Sequence, residues 1–232
     1  MSSKVGKALE RAVKRDEAPR EGRGSSLWTN NRERVYMFLT FRPFSTRKDI
    51  SLAVDISDKT AAWHISKLYS SGFVTSVNRL YYPTGFVSKD DVQVALALSN
   101  GDQRNAFNCV LRNPGINLKS VAQEEDISMS RMSSLSKNLE EVGLITRVKD
   151  GRVLRMYATS LLEEKIDEYR KRGPGFVEHV SRLISQEGIR FDPGKRGETF
   201  TATLKEGSSR YSLVINTNPF RTLAQKEVSV PF

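Results

Sequence analysis

Five side chains that follow Ser57 combine positive charge, hydrogen-bonding groups and aromatic rings on one side of a predicted helix. They are Lys59, Thr60, Trp63, His64 and Lys67. Amines donate hydrogen bonds to phosphate oxygens, and hydroxyl or imidazole groups can hydrogen-bond to base edges. The set is suitable for reading a nucleic acid. It is equally compatible with an ordinary solvated helix surface, and an indole at Trp63 could also pack between helices.

The segment that carries these side chains has the signals of a short helix followed by a strand. Ser57 can cap the helix, since its hydroxyl accepts a hydrogen bond from a first-turn amide. Ala61, Ile65 and Leu68 recur at helical spacing and predict an apolar inner face. Gly72 predicts the helix end, where left-handed backbone is common. These features are typical of the recognition helix of a helix-turn-helix unit.

The same pattern returns 71 residues later without a gap, from 34–77 to 105–148. Asp55-Ile56-Ser57 recurs as Asp126-Ile127-Ser128, and Gly72 recurs as Gly143. An internal repeat of this length indicates that one supersecondary unit is present twice. We predict the order helix, helix, helix, strand, turn, strand in each copy.

The second copy presents a different outer face on its third helix. Its candidate contact residues are Ser130, Arg131, Ser133, Ser134 and Lys137. Arg131 is the strongest candidate for reading guanine, because a guanidinium can donate two hydrogen bonds to one base edge. Lys137, like Lys67 in the first copy, is suited to phosphate contact.

Two exchanges along this helix predict a small difference between the copies. Leu135 stands where the first copy has His64, and Ser136 stands where it has Ile65. We therefore expect the second helix to be slightly rotated relative to the first.

A basic hairpin is predicted after the second copy. Residues 144–149 alternate like a strand, Asp150-Gly151 indicates a tight turn, and 152–158 return. The basic residues around that turn are Arg147, Lys149, Arg152 and Arg155. Such side chains can hold phosphates or enter the minor groove. The first copy has only Asn78-Arg79 at its turn, so its hairpin is expected to be short.

The chain resembles winged helix-turn-helix transcriptional regulators of the broad MarR/ArsR group, in tandem and of archaeal type. The resemblance covers residues 27–162. It rests on Arg112-Asn113-Pro114-Gly115-Ile116, on Ile127-Ser128 with Arg131, and on Leu139-Glu140-Glu141-Val142-Gly143-Leu144-Ile145. It implies two winged helices and binding to double-stranded DNA. ArsR-type metal sensors need cysteine or histidine clusters, whereas this chain has one cysteine and two histidines. Metal sensing is therefore not expected.

We predict a mainly α protein with small β-hairpins, of the α+β class. Residues 1–26 are expected to be a basic flexible arm, either touching phosphates or simply solvated. Residues 27–99 are the first winged-helix domain with a connecting helix, and 100–172 are the second. Residues 173–232 are predicted to be a small domain of one helix and two strands, separated by a break at Gly173-Pro174-Gly175.

Composition favours an anionic partner inside the cell. The net charge is +10, which fits a nucleic acid or an anionic membrane surface. No apolar run is long enough to span a membrane, and no signal peptide is evident. We expect a cytoplasmic, nucleoid-associated protein. The charge is spread over all four segments, so neither copy is strongly basic by itself.

The sequence contains no pattern of an enzyme. No nucleophile–base set and no glycine-rich phosphate loop before a helix is present, and no cofactor is expected. The carboxylate runs are explained as solvated faces: Asp90-Asp91, Glu124-Glu125-Asp126 and Glu163-Glu164.

Two functions remain open from the sequence. The first is a sequence-specific DNA-binding regulator of transcription. The second is a winged-helix module that assembles proteins in transcription or chromosome maintenance, favoured by the mild charge and the serine-rich face of the second copy. A homodimer is expected because an unpaired C-terminal hairpin would expose strand edges. The transcription machinery is a further expected partner.

Overall fold

The computed structural model describes residues 29–194, 197, 199–206 and 209–231; the predicted arm, 1–26, lies outside them. The described chain begins with three helices and an antiparallel hairpin. These are α1 (Asn30–Phe41), α2 (Arg47–Val54), α3 (Asp58–Ser70), β1 (Val74–Val77) and β2 (Leu80–Pro83).

The same order of elements follows after a short connection, with one added two-residue strand, Ile116–Asn117, that the sequence did not predict. A 3-10 helix (Lys89–Asp91) and α4 (Val92–Ser99) lead into the second unit. Its elements are α5 (Gly101–Arg112), β3 (Ile116–Asn117), α6 (Leu118–Glu124), α7 (Met129–Glu141), β4 (Ile145–Asp150) and β5 (Val153–Ala158). Its strands form an antiparallel sheet in the order β3-β5-β4.

The remaining chain adds a long helix, a three-stranded sheet and a final short helix. The elements are α8 (Leu161–Gln186), β6 (Arg190–Pro193), β7 (Thr199–Glu206), β8 (Ser209–Asn216) and α9 (Pro219–Leu223). The sheet is antiparallel in the order β6-β7-β8. The predicted α+β class, mainly helical with small sheets, is confirmed. No helix of the described residues is long and apolar enough to cross a membrane.

The sequence repeat is also a repeat of local structure. Helices α5 and α7 begin and end 71 positions after α1 and α3. Ser57 Oγ accepts a hydrogen bond from the Thr60 amide at 3.1 Å, and Ser128 Oγ accepts one from the Arg131 amide at 3.2 Å. The glycines that end the two helices both have positive φ, 75° and 80°. Equivalent caps and stops therefore give equivalent helices.

The two exchanged positions of the third helices are buried in both copies. His64 and Leu135 are 2% and 9% exposed, so both copies bury this position. The next position is also buried in both copies, as Ile65 and as Ser136. Ser136 is tolerated there because its hydroxyl donates to the Ser133 carbonyl at 3.0 Å, which satisfies a buried polar group.

The predicted break at Gly173-Pro174-Gly175 is wrong. These three residues lie inside α8, a continuous helix of 26 residues. A proline inside a helix removes a hydrogen bond and costs about 3 kcal/mol. Packing on both sides of the proline offsets this cost. Before it, Leu162 and Tyr169 enter the core of the second unit, and after it Phe176, Val177, Val180 and Ile184 enter the core of the first.

The C-terminal segment contributes to both hydrophobic cores. The first core includes inward residues of its sheet, such as Phe200, Leu213 and Ile215. The second core includes Phe220 and Leu223 of α9. A hairpin alone is marginally stable. Here a third strand joins it, and the sheet contacts α1 and α8.

Buried hydrogen bonds join the C-terminal segment to both units. The Asn216 amide donates to Thr40 Oγ1 of α1 at 3.1 Å, and Asn216 Nδ2 donates to the Thr40 carbonyl at 3.0 Å. Asn218 Nδ2 donates to the Ile166 carbonyl of α8 at 2.8 Å. The last strand and the last helix therefore fix the two units relative to each other.

Candidate nucleic-acid interface

The buried face of α3 is wider than the spacing of its apolar residues predicted. Thr60 and His64 are buried, at 8% and 2% exposed, and join Ala61, Ile65 and Leu68 on the inner side. The prediction that both lie on the outer face is wrong, because a helix packed against two neighbours buries a broad stripe. Thr60 Oγ1 shares a hydrogen bond of 2.8 Å with Ser57 Oγ.

Trp63 is half-buried and engaged within the protein. The Arg32 guanidinium of α1 lies 4.8 Å from the centroid of its ring, a cation–π distance. The His64 ring meets it edge-on, with centroids 4.8 Å apart. The indole therefore packs between α1 and α3, the alternative that the sequence left open for this residue.

Burial also shifts the pKa values of two side chains in the first unit, His64 and Glu33. Burial and the charge of Arg32 lower the pKa of His64 to about 4, so its imidazole is neutral at pH 7. Its Nδ1 has no hydrogen-bond partner among the described residues. Burial raises the pKa of Glu33 to about 7. A neutral, buried imidazole cannot contact a phosphate.

Three predicted contact residues of the first unit stay accessible. Lys59 and Arg79 are exposed, and Lys67 is half-buried. They lie at the start of α3, in the hairpin turn and near the end of α3. The first unit thus keeps scattered cations rather than the continuous face that the spacing suggested.

The outer face of α7 is open. Ser130, Arg131, Ser134 and Lys137 are exposed, and Ser133 is half-buried. The Ser134 hydroxyl donates to the Ser130 carbonyl at 3.2 Å, which leaves its oxygen lone pairs as acceptors. This face offers small hydrogen-bonding groups with cations near both ends.

Arg131 forms an ion pair with Asp102 at the start of α5. Both side chains are partly exposed, at 59% and 37%. Asp102 orients the guanidinium in this pair. An exposed ion pair contributes little stability, so another anion can replace Asp102 as the partner of Arg131.

Of the four basic residues predicted on the second hairpin, two form contacts that hold its strands in place. Arg147 of β4 donates to Glu140 of α7, with 2.7 Å between Nε and Oε2. Arg155 Nε donates to Asp150 Oδ2 at 2.6 Å, and its Nη1 donates to the Gly115 carbonyl at 3.1 Å. These contacts tie β4 to α7 and β5 to the start of β3.

The other two hairpin cations project from the turn. Lys149 and Arg152 are exposed and form no ion pair within the described part of the chain. They stand beside the tight turn at Gly151, which has a φ of 58°. The structure therefore separates the predicted basic set into two bracing and two accessible residues.

The outward side of the second hairpin carries three exposed apolar side chains among polar ones, which the sequence analysis missed. Val148, Val153 and Tyr157 are 50%, 41% and 37% exposed. Their cross-strand partners are Arg155, Asp150 and Thr146, so all six share one face of the sheet. Period-2 alternation along β4 and β5 was the signal that could have identified it.

A group of possible metal ligands was also missed. Cys109 Sγ and the carboxylates of Glu124 and Glu125 lie within 4.8 Å of one another. Arg112 already pairs with both glutamates, at 3.2 and 3.9 Å. Burial raises the pKa of the Cys109 thiol to about 11, which favours the protonated form over the thiolate that binds metals. We assign no metal to this group.

Comparison with known proteins yields structural likeness alone. Neither a protein-family model nor a curated protein matches the sequence. The transcriptional regulator SlyA is 23% identical over 42% of this chain and 68% of its own, with a TM-score of 0.28.

Two further solved structures align over a larger part of the chain. T. acidophilum IdeR is 14% identical over 87% of this chain and 97% of its own, with a TM-score of 0.23. The metal-dependent transcriptional regulator MtsR is 13% identical over 83% and 94%, with a TM-score of 0.21. Such low scores leave function to be inferred from the chain itself.

Proposed function

We propose that this chain is a DNA-binding regulator of transcription built from two tandem winged helices, residues 27–99 and 100–172. The observation that carries the proposal lies in the second unit. This unit combines the exposed polar face of α7 with a hairpin that has two accessible cations, Lys149 and Arg152. A helix fits the major groove, and a basic hairpin can lie on phosphates or in the minor groove.

The second unit is the main DNA-binding unit in this proposal. Arg131 leaves Asp102 and donates hydrogen bonds to a base edge. The side chains of Ser130, Ser133 and Ser134 form hydrogen bonds with the edges of neighbouring bases. Lys137, Lys149 and Arg152 neutralise phosphates. Arg147 and Arg155 hold the hairpin in place rather than contacting DNA.

The first unit makes the shallower contact. Lys59, Lys67 and Arg79 are its proposed phosphate contacts. Thr60 and His64 are not proposed as contacts because they are buried, and Trp63 is committed to Arg32. This division follows from the different side chains that the two copies expose.

The wider setting is part of the same proposal. The protein would act in the cytoplasm at the nucleoid, as an archaeal-type regulator that works with the transcription machinery. A homodimer is supported by β4, which lies at the edge of its sheet and has no second strand partner within the described residues. Light scattering of the purified chain tests the dimer directly.

A salt titration with labelled random and genomic duplexes tests DNA binding. Each phosphate contact adds about 0.9 to the slope of log affinity against log salt. The double variant Lys149→Ala/Arg152→Ala should therefore reduce the slope by about 2 for all sequences. The matched control Arg182→Ala/Arg190→Ala, which removes two exposed cations elsewhere, should leave it unchanged. If no duplex binds at low salt, the proposal fails.

A protein-assembly module is the second candidate, and one observation favours it. The exposed Val148, Val153 and Tyr157 form an apolar surface on the second hairpin, which a purely phosphate-binding hairpin does not need. If this candidate is correct, Val148→Glu should abolish self-association in light scattering. Under the DNA-binding proposal, whose dimer also involves the edge of β4, the parent binds duplex and the same variant should weaken that binding. Under the assembly candidate, no duplex binds even at low salt.

A further inference from the structure

A cavity of about 620 Å³ lies where the first hairpin, the loop at 84–89 and the middle of α8 meet. Thr75 and Tyr82 of the hairpin line one side of it, and Arg172, Phe176 and His179 of α8 line another. No role in DNA binding has been assigned to these residues. The size suits one small organic molecule.

Two glycines line this cavity. Gly175 of α8 lines it, and a Cβ placed there would meet no atom within 4 Å. Glycine within a helix destabilises it relative to alanine. At position 175 the space around the backbone would admit a side chain, so lack of room does not explain the glycine. Gly85 forms another part of the wall, where a Cβ would lie 3.3 Å from Cδ2 of His179.

The lining combines an apolar floor with positive charge. Phe86, Val87 and Phe176 supply apolar surface, while Lys89 and Arg172 supply two cations. No carboxylate of the described residues lines the cavity. His179 adds an imidazole whose Nε2 is buried without a hydrogen-bond partner among the described residues. Such a lining favours a ligand with an anionic head and an apolar body.

Arg172 shares its two acidic neighbours, Asp91 and Glu168, with a second cation, Lys165. Asp91 is neutralised by Lys165 at 2.7 Å and accepts a hydrogen bond from the Tyr169 hydroxyl at 2.8 Å. Arg172 lies 3.9 Å from Asp91 and 3.2 Å from Glu168, and its guanidinium stacks 5.2 Å from the Tyr169 ring centroid. It is half-exposed, so its contact with Glu168 is readily exchanged.

We propose that this cavity binds a small amphipathic organic anion, with its head at Lys89 and Arg172 and its apolar body against Phe86 and Phe176. A carboxylate or a sulfonate head can accept charge-assisted hydrogen bonds from both cations. Because the hairpin and α8 both form the wall, a bound ligand would link these two elements. This binding does not depend on whether the protein binds DNA.

Fluorescence titration of the full chain with 8-anilinonaphthalene-1-sulfonate tests the site, with octanoate and octanamide as competitors. We expect one saturable site that octanoate displaces and octanamide, its neutral analogue, does not. Arg172→Gln should weaken binding about tenfold, the value of one charge-assisted hydrogen bond. The matched control Arg170→Gln, an exposed arginine two positions earlier that pairs with Asp167, should bind like the parent.

Gly175→Leu tests the cavity itself, because position 175 lines it and has open space for a side chain. It should abolish binding while thermal stability stays equal or rises, since leucine is the better helix former. Should that variant fail to fold, Lys89→Gln replaces it, with a loss of about tenfold expected. The proposal is overturned if the dye does not bind, if these variants bind like the parent, or if octanamide competes as well as octanoate.

Discussion

The Glu140 carboxylate of α7 accepts hydrogen bonds from both the guanidinium and the backbone amide of Arg147 in β4. The Nε–Oε2 distance is 2.7 Å and the N–Oε1 distance is 3.2 Å. One side chain therefore fixes the angle between the helix and the hairpin. Because Lys149 and Arg152 follow in the same hairpin, their positions relative to the outer face of α7 depend on this contact.

Glu140→Gln should loosen the hairpin. The amide loses its charged acceptor, so hydrogen exchange at Arg147 and its neighbours in β4 should become several-fold faster. Amide exchange followed by NMR measures this directly. Glu141→Gln is the matched control, because Glu141 is exposed and adjacent in sequence. Equal exchange in the two variants would contradict a bracing role for Glu140.

Glu33 and His64 should give opposite slopes to the pH dependence of stability. Burial raises the pKa of Glu33 to about 7, so the stability linked to it is present below pH 4.5 and is lost as pH rises to 7. Burial and Arg32 lower the pKa of His64 to about 4, so its contribution is present above pH 6.5 and is lost as pH falls through 4.

Single variants separate these two contributions. In Glu33→Gln, the free energy of unfolding should rise more steeply from pH 4 to 6.5 than in the parent. In His64→Gln, it should fall more steeply from pH 4.5 to 7. Urea denaturation at several pH values measures both. Parallel curves for parent and variants would show that these groups do not titrate as described.

Pro174→Ala should stabilise the protein. The proline lies exposed within α8, where it removes a helix hydrogen bond. Part of the gain is offset by the greater entropy of the unfolded chain, so we expect an increase of about 1–2 kcal/mol. Urea denaturation measures it, with Glu178→Ala in the same helix as a control that should change stability by less than about 0.5 kcal/mol. A loss of stability would indicate that α8 needs the proline.

Thr40→Val should be destabilising despite its similar shape. It removes the acceptor of the buried Asn216 amide and leaves that donor unsatisfied. The expected cost is about 1–3 kcal/mol in the free energy of unfolding. Thr146→Val, at an exposed strand position, should change stability by less than about 0.5 kcal/mol. Equal effects at the two sites would mean that the Thr40 hydrogen bond contributes nothing.

Asp102→Asn should release Arg131 if that arginine reads a base. Binding to all duplexes should become modestly tighter, and the preference at one base position should change, because the guanidinium loses its fixed partner. Selection of bound fragments from a random duplex pool measures the preference. Asp90→Asn makes the same charge change at an exposed position and should leave the preference unaltered.

The local structure was largely predictable because its causes are local. Ser57 and Ser128 cap helices, and Gly72 and Gly143 end them, through contacts within a few residues. Matching the repeat then predicted the order of elements in both units apart from the short strand β3, whose pairing partner β5 lies further along the chain. These parts of the fold depend on backbone hydrogen bonds whose partners are close in sequence.

The parts that could not be predicted depend on distant residues. His64 is buried because α1 covers it and Arg32 lies against its neighbour. The pairing of Arg131 with Asp102 joins two helices, and no spacing rule relates them. The α8 helix continues past Pro174 only because two separate cores hold its ends, and periodicity alone cannot reveal such packing.

The continuity of α8 determines how the two units could cooperate. A helix of 26 residues is about 39 Å long and belongs to the core of each unit, so the units are joined by a continuous helix as well as by their short connection. If both units bind DNA, such a connection holds the second unit at a high effective concentration for a narrow range of spacing and phase along the double helix. Binding to two half-sites should then be strong at one separation and fall sharply when a few base pairs are inserted.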